Sequence, residues 1–298
     1  MSEFIQQLIN GLSLGSIYAL IALGYTMVYG ILKFINFAHG EIFMLGAFSG
    51  LYLARAFGVD SPDIPMAVVI LILTMMITSV IGVVIEKLAY KPLRKSSKLT
   101  VLITAIGVSL FLQYSGQLLF GADPKSFPEI IENVSFNIFG ATIGSNQIVV
   151  LISAAVLMMT LRFIVMKTKM GIAIRAVSNN LTAASLMGIN INNVISFTFI
   201  IGSSLAGAAG ILYSINYPSI DPLMGLLPGL KAFIAAVLGG IGNFPGASAV
   251  GLIIGLVETF TVGYLSPTYR DAIAFAILII MLLVKPTGLF GKKEVEKV

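Results

Sequence analysis

Gly171–Ile191 reads GIAIRAVSNNLTAASLMGINI, a polar, helix-capable stretch set between long apolar runs. Ile174, Val177, Leu181 and Ala184 recur at spacings of three, four and three, which puts one apolar stripe on a helix. Asn180 can cap a second short helix, Leu181–Met187, and Gly188 stands where a left-handed residue closes a helix. Ser178, Asn179 and Asn180 then form a hinge. The polar face is neutral and small, with Thr182, Ala183 and Ser185 on it. A helix resting on lipid headgroups would show more Lys and Arg there, whereas a neutral face suits a groove in a partner protein. From these residues alone both uses stay open.

What flanks the stretch sets the class. The chain has 298 residues, of which 57% are hydrophobic and 10% charged. Soluble domains carry about 25% charged residues, so too few charges are present to cover a water-facing surface. The composition reads as a polytopic membrane protein. Thirty glycines agree, since Gly lets transmembrane helices approach closely. Without Cys there is no thiolate nucleophile, disulfide or thiolate-bound metal, and one His leaves no His-rich metal site. The formal charge of +5 is read as sidedness, not as affinity for nucleic acid. The first basic residue, Lys33, follows the first apolar run, so no cleavable signal peptide is expected.

Apolar runs of about 20 residues are the unit of a membrane span. Nine stand out: Phe4–Leu32, His39–Phe57, Pro65–Leu88, Thr100–Leu119, Gln147–Met166, Val194–Ser214, Leu230–Ile241, Ala247–Tyr264 and Ala272–Val284. The seventh and ninth are short, so the expected count is eight or nine spans of an all-α protein. When nine crossings are threaded from outside, 14 of the 18 basic residues fall at inner ends. These are Lys33; Lys87, Lys91, Arg94, Lys95 and Lys98; Arg162, Lys167, Lys169 and Arg175; and Lys285, Lys292, Lys293 and Lys297. The exceptions are Arg55, Lys125, Lys231 and Arg270. The positive-inside rule then puts the N-terminus outside and the C-terminus in the cytoplasm. The connection at about 167–193 is cytoplasmic and that at about 120–146 extracytoplasmic. The latter, with Pro124 and Pro128, is either a solvated loop or a shelf for an outside partner. Four spans before the fifth and four after it enter from opposite faces, the arrangement of an inverted repeat. A faint echo links Gly15-Ser16, Ala19 and Ala22 with Gly202-Ser203, Ala206 and Ala209.

The motifs for chemistry are sparse. No GxxxxGK[ST] occurs, so this chain has no P-loop for ATP. GGIGNFPG at Gly239–Gly246 lacks the spacing and the strand context of a dinucleotide fingerprint, and reads as a tight turn between packed helices. His39-Gly40-Glu41 resembles half of a zinc deaminase site, a reading that fails without Cys. His39 and Glu41, two apart on a helix, point away from each other and make no proton relay. Either they lie near the inner interface or pack against backbone polar groups, with Glu41 in a first helical turn, or they face an interior path. Glu258 lies deep in its span, as an interhelical hydrogen-bonding group or a path residue. Glu86 beside Lys87 reads as structural. No catalytic set and no metal or cofactor site is expected.

Several blocks together resemble one family, the branched-chain amino acid permeases of ATP-binding-cassette importers. They are Arg175-Ala176 followed by Ala183-Ala184, Leu186 and Met187-Gly188-Ile189; the long run Asn10–Phe48; YKPLR at Tyr90–Arg94; GLKAFIAAVLGGIGNFPGA at Gly229–Ala247; and KPTGLFG at Lys285–Gly291. The likeness covers nearly the whole chain and is nearest the smaller of the two permeases of a leucine/isoleucine/valine system. It implies one permease domain, residues 1–298, with an architecture like that of ribose and vitamin B12 permeases, in the bacterial inner membrane. It implies a second permease subunit, two cytoplasmic ATPases and an extracytoplasmic substrate-binding protein as partners. Arg175, Asn180, Ala183, Ala184, Leu186, Met187, Gly188 and Ile189 are then expected to meet an ATPase. Asn36, His39, Gly40, Glu41, Gly239, Gly240, Gly242 and Glu258 are the candidates for helix breaks or the transport path. A standalone, ion-coupled amino acid transporter is the alternative, since inverted halves and broken helices serve it equally.

Overall fold

The computed structural model describes residues 2–290, apart from 60, 95, 139, 241, 286 and 287. Asp60, Lys95, Ile241, Lys292, Lys293 and Lys297, and part of the KPTGLFG block, therefore lie outside the described residues. Each of the nine apolar runs forms a helix: α1 (Ser2–Leu32), α2 (His39–Ala56), α3 (Ile64–Ile85), α4 (Lys98–Phe120), α5 (Ser145–Lys167), α8 (Ile191–Asn216), α9 (Leu226–Leu238), α10 (Phe244–Tyr264) and α11 (Arg270–Val284). The central polar stretch forms α6 (Lys169–Asn179) and α7 (Leu181–Leu186). Six of these helices are long and apolar enough to cross a membrane; α2, α9 and α11 are not among them.

Burial sorts the helices into a core and a shell. The most apolar stretch of α1 is 89% buried and that of α8 78%, against 22% for α4 and α5. The shell helices turn Ile72, Met76, Leu110, Phe111, Ile152 and Phe163 outward. In water this would be an unstable surface; in hydrocarbon it is the solvated one. Inside, small residues replace large ones. Gly11 and Gly15 of α1 lie against α10, where Gly251 and Gly255 repeat the same spacing of four. A Cβ on Gly255 would run into the backbone of Gly15 and Gly11. With no hydrophobic drive between helices in lipid, such contact is what holds them together. Gly255→Leu is expected to cost at least about 1–3 kcal/mol through overpacking. The check is the heat-denaturation midpoint of purified protein, with Gly107→Ala, which meets nothing within 4 Å, leaving it unchanged.

The neighbour pattern has a pairing in it. Helix α10 packs on α1 as α3 packs on α8. Helix α9 lies against α1 and α10, and α2 against α8 and α3. Helix α11 touches α9, and α4 touches α2.

At one end of the bundle, Gln147 donates to Asn10 (2.7 Å) and the Thr142 N–H to Gln6 (2.8 Å), so the start of α1 meets the 121–146 connection. That connection is not a plain solvated loop. Its strand β1 (Lys125–Ser126) pairs antiparallel with β4 (Ser219–Ile220), and β2 (Ser135–Ile138) with β3 (Ala141–Gly144). Phe127 and Ile130 are buried with Phe48, Leu51, Ile211 and Ile220 in a second core. At the opposite end, α6 and α7 bridge α5 and α8.

One helix begins inside the bundle, and the start of another lies against it. Lys33 takes a left-handed φ of 56° after α1 and turns the chain back, a conformation that costs an ordinary residue about 1 kcal/mol or more. Helix α2 then starts at His39, level with Gly24 of α1. Gly24 is eight residues before the end of α1, or about 12 Å at 1.5 Å per residue. Helix α9 starts where Gly225 and Gly229 lie against Gly40, close enough that a side chain at either position would overlap Gly40.

Candidate functional site

The docking stretch is built from local capping. The Thr168 hydroxyl accepts from the Gly171 N–H (3.1 Å) and opens α6; Asn180 accepts from the Ala183 N–H (3.0 Å) and opens α7. Gly188 has φ +82° and closes α7, as its position in the sequence predicts. Ile174, Val177 and Ala184 are buried, but Leu181 is 43% exposed and leaves the stripe. The reason is Asn180, whose extended backbone (φ −155°, ψ 107°) breaks the helical period; the hinge is this one residue, since Ser178 and Asn179 still belong to α6. Arg175 is turned inward: its Nη1 donates to the Val165 carbonyl (2.6 Å), tying α6 to the end of α5. Asn180 is likewise occupied as a cap, Ala184 is buried, and Ile189 is half-buried. The groups left bare are Ala183, Leu186 (82% exposed) and Met187 (83%), with Gly188 beside them. A six-residue helix thus presents two large apolar side chains with almost no contact to their own chain.

The second group sits where α2 begins, with Gly40 against Gly225 and Gly229 at the start of α9. His39 is buried, with its ring edge-on to Tyr25 at 4.7 Å between centroids and its Nε2 against Gly24. Glu41, in the first turn of α2, is equally buried and accepts from Ser109 of α4 (3.2 Å). The two side chains point apart, as a spacing of two on a helix requires. Both side chains are buried within the bundle, beyond the turn at Lys33. Asn36 accepts from Tyr90 (2.5 Å). His39 Nε2, Glu41 Oε2, Asn36 Nδ2 and Thr26 Oγ1 are buried without a hydrogen-bond partner among the described residues, an expensive concentration of unmet polar groups. The Gly239, Gly240 and Gly242 turn is elsewhere. Gly240 and Gly242 have φ of 88° and 82°, Gly239 lies against Gly246 and Ala247, and Gly242 reaches Gly30 near the end of α1. It is the tight turn between packed helices that its spacing indicates, and it does not join the His39–Glu41 group.

Glu258 is 1% exposed and fully engaged. It accepts from Tyr18 of α1 (2.9 Å), pairs with Lys231 of α9 (3.0 Å) and pairs with Arg270 at the start of α11. Lys231 also pairs with Asp271 (2.6 Å). This tetrad of two acids and two bases ties three helices to α1. Sequence reasoning singled out Glu258 alone and missed Tyr18, Lys231, Arg270 and Asp271. A signal was present, since Lys231 and Arg270 are two of the four bases that refuse the inner side.

Glu86 has the structural role its reading gives it, but its partner is not the neighbouring Lys87. It lies in a π turn, Glu86–Tyr90, that prolongs α3, and it is wholly buried. Its partners are Arg94 and Ser196 (2.9 Å), and Arg94 also donates to Asn192 (2.7 Å), while Lys87 is exposed. The end of α3 is thereby fastened to the beginning of α8, next to α7.

Similarity to known proteins covers the whole bundle. A family model described as branched-chain amino acid transport system / permease component matches residues 7–282. The high-affinity branched-chain amino acid transport system permease protein BraD of Pseudomonas aeruginosa is 43% identical over 303 residues, spanning 99% of this chain and 98% of its own. LivH of Escherichia coli K12, a permease protein of the same description, is 44% identical with the same coverage. Among solved structures, PsaBC from Streptococcus pneumoniae in complex with Fab superposes with a TM-score of 0.50 at 12% identity, over 96% of this chain and 94% of that one. That last likeness bears on the fold alone.

Proposed function

We propose that this chain, which belongs to the family of permease components of branched-chain amino acid transport systems, is the membrane subunit that passes branched-chain amino acids inward while ATP is hydrolysed on separate subunits. The observation that carries the coupling is the bare Leu186–Met187 tip of α7, held by caps on both sides and set against α6 and α8. A pair of ATPases meets this tip and its copy on a second, related permease. An extracytoplasmic binding protein delivers substrate to the opposite end, where the packed 121–146 connection lies.

Nine crossings with the N-terminus outside fit the charge sorting, and they make α2 and α9 the second elements of two inverted halves. Support comes from the paired neighbours of α1 and α8 and from the short helices whose starts meet at Gly40 and Gly225. Short or broken segments at corresponding positions of two halves point to a transport path. Asn36, His39 and Glu41 would line it there, their unmet polar atoms serving a passing polar solute or water.

The test is reconstitution in proteoliposomes with the second permease, the ATPases and the binding protein. Leucine uptake is expected only with internal or external ATP, according to ATPase orientation, and with the binding protein on the other side. Uptake by this chain alone under an ion gradient would overturn the coupling and favour a secondary transporter.

A further inference from the structure

Beside the tetrad lies a cavity of about 310 Å³, between the end of α8, the 217–225 segment, α9 and the start of α11. Its walls mix Lys231, Arg270, Asp271 and Asp221 with the apolar Leu223, Met224 and Leu227. Asp221 is held by the Leu223 N–H (2.8 Å). Lys231 is 3% exposed at its side chain and already shared between Glu258 and Asp271, whereas Arg270 and Asp271 are 37% and 42% exposed. Arg270 spends its Nε on Glu258 and stands in the walls of this cavity and of a neighbouring, more polar one of about 430 Å³.

We propose that this cavity is a subsite for one zwitterionic amino acid with an aliphatic side chain, its carboxylate on Arg270, its ammonium between Asp271 and Asp221, and its side chain against Leu223, Met224 and Leu227. The walls hold Lys231 and Arg270 with Asp271 and Asp221, and the two charged ends of a dipolar ligand match the two signs present. Arg270 offers the planar fork that recognises carboxylates. Leu223 and Leu227, 47% and 44% exposed, gain cover from an aliphatic side chain. The volume is at the small end of ligand cavities and admits an amino acid, not a peptide. The cavity opens at the end of the bundle that carries the strands. The inference rests on the transport reading above and adds a holding place within that route.

The probe is a diazirine analogue of leucine, photoactivated on the transporter assembled with its partner permease and ATPases in lipid nanodiscs, without binding protein, and mapped by mass spectrometry. Label is expected on the Leu223–Lys231 peptide and near Arg270. Excess leucine should suppress it, while isovalerate, with only the carboxylate, and isopentylamine, with only the ammonium, should not at equal concentration. Arg270→Gln should lower the label roughly tenfold or more, the scale of one lost charge-assisted contact. Leu227→Trp, at an exposed rim position that keeps the tetrad intact, should do the same by filling the space. Intact ATP-driven leucine uptake with label only elsewhere, or label indifferent to both substitutions, overturns the subsite and leaves the transport reading standing. Failure of both uptake and labelling in the wild-type assembly overturns the transport reading and the subsite with it.

Discussion

Aspartate at both Leu186 and Met187 is expected to abolish ATP-coupled uptake while leaving the permease folded. The two side chains are 82% and 83% exposed, so the chain loses little by their replacement. Surface changes of this kind usually stay within about 0.5 kcal/mol of neutral. Their effect falls on docking. An apolar anchor buried at the centre of an interface is worth about 2 kcal/mol or more, roughly 30-fold in affinity. Two carboxylates forced into the same groove add the cost of burying unpaired charge. Co-purification of the ATPases and leucine uptake in proteoliposomes read the result, with thermal stability of the permease as control. Asn180→Ala should fall between: it removes the α7 cap, at about 0.5–2 kcal/mol, but leaves the anchors in place. Full uptake with both aspartates present would mean that motion of the ATPases enters by another route.

That route matters because of what α7 is joined to. Glu86 binds Arg94 and Ser196, and Arg94 binds Asn192, so the beginning of α8 is clasped to the end of α3. The start of α8 follows α7 by only a few residues. A displacement of α7 is therefore received by two helices at once, one in the core and one in the shell. The π turn that presents Glu86 is the sort of irregularity retained at working positions in helices.

The helices were legible because hydrocarbon leaves a continuous mark. Nine apolar runs become nine helices, with ends shifted by a few residues. Caps were legible because they are local: Asn180 and Gly188 act within four residues of themselves. The stripe through Leu181 was not, since a periodic pattern cannot report that Asn180 interrupts it. The depth of His39 and Glu41 was hidden for a different reason. It depends on the reversal at Lys33, and a positive φ at a lysine leaves no compositional trace. The packing of Phe127 and Ile130 depends on β1 meeting β4, a contact across more than ninety residues. The tie between the tetrad and α1 was hidden by distance too, with 240 residues from Tyr18 to Glu258. Yet half of the tetrad was visible as a violation: Lys231 and Arg270 are two of the four bases that break the charge rule the other fourteen follow. A buried positive charge on the wrong side needs a reason, and Glu258 is that reason.

Glu258→Met should accordingly be among the most damaging single changes in the bundle. It strips Lys231 of one of its two partners and Arg270 of the acceptor for its Nε, and leaves the Tyr18 hydroxyl without its acceptor. Breaking a buried pair by removing one member costs about 3–5 kcal/mol, mostly because the surviving charge cannot reach water. Lys231, at 3% side-chain exposure, cannot; Arg270, at 37%, partly can, so the larger share of the loss belongs to Lys231. The double replacement Glu258→Met with Lys231→Met separates the two. It removes Lys231 along with Glu258 and restores apolar packing, leaving Asp271, 42% exposed, to solvent, and such exchanges are often neutral or stabilising. The double variant should therefore recover most of the stability lost in the single one, giving a coupling of at least about 2 kcal/mol in a double-mutant cycle. Reversible unfolding of the purified permease in mixed micelles reads each corner of the cycle. Additive losses, with the double variant worse than either single one, would show that Glu258 and Lys231 stabilise the bundle independently and that the ion pair is incidental. Recovery of stability without recovery of leucine uptake would instead locate the need for these charges in transport: the fold tolerates their loss, and a dipolar solute that must be held by Arg270 and its neighbours does not.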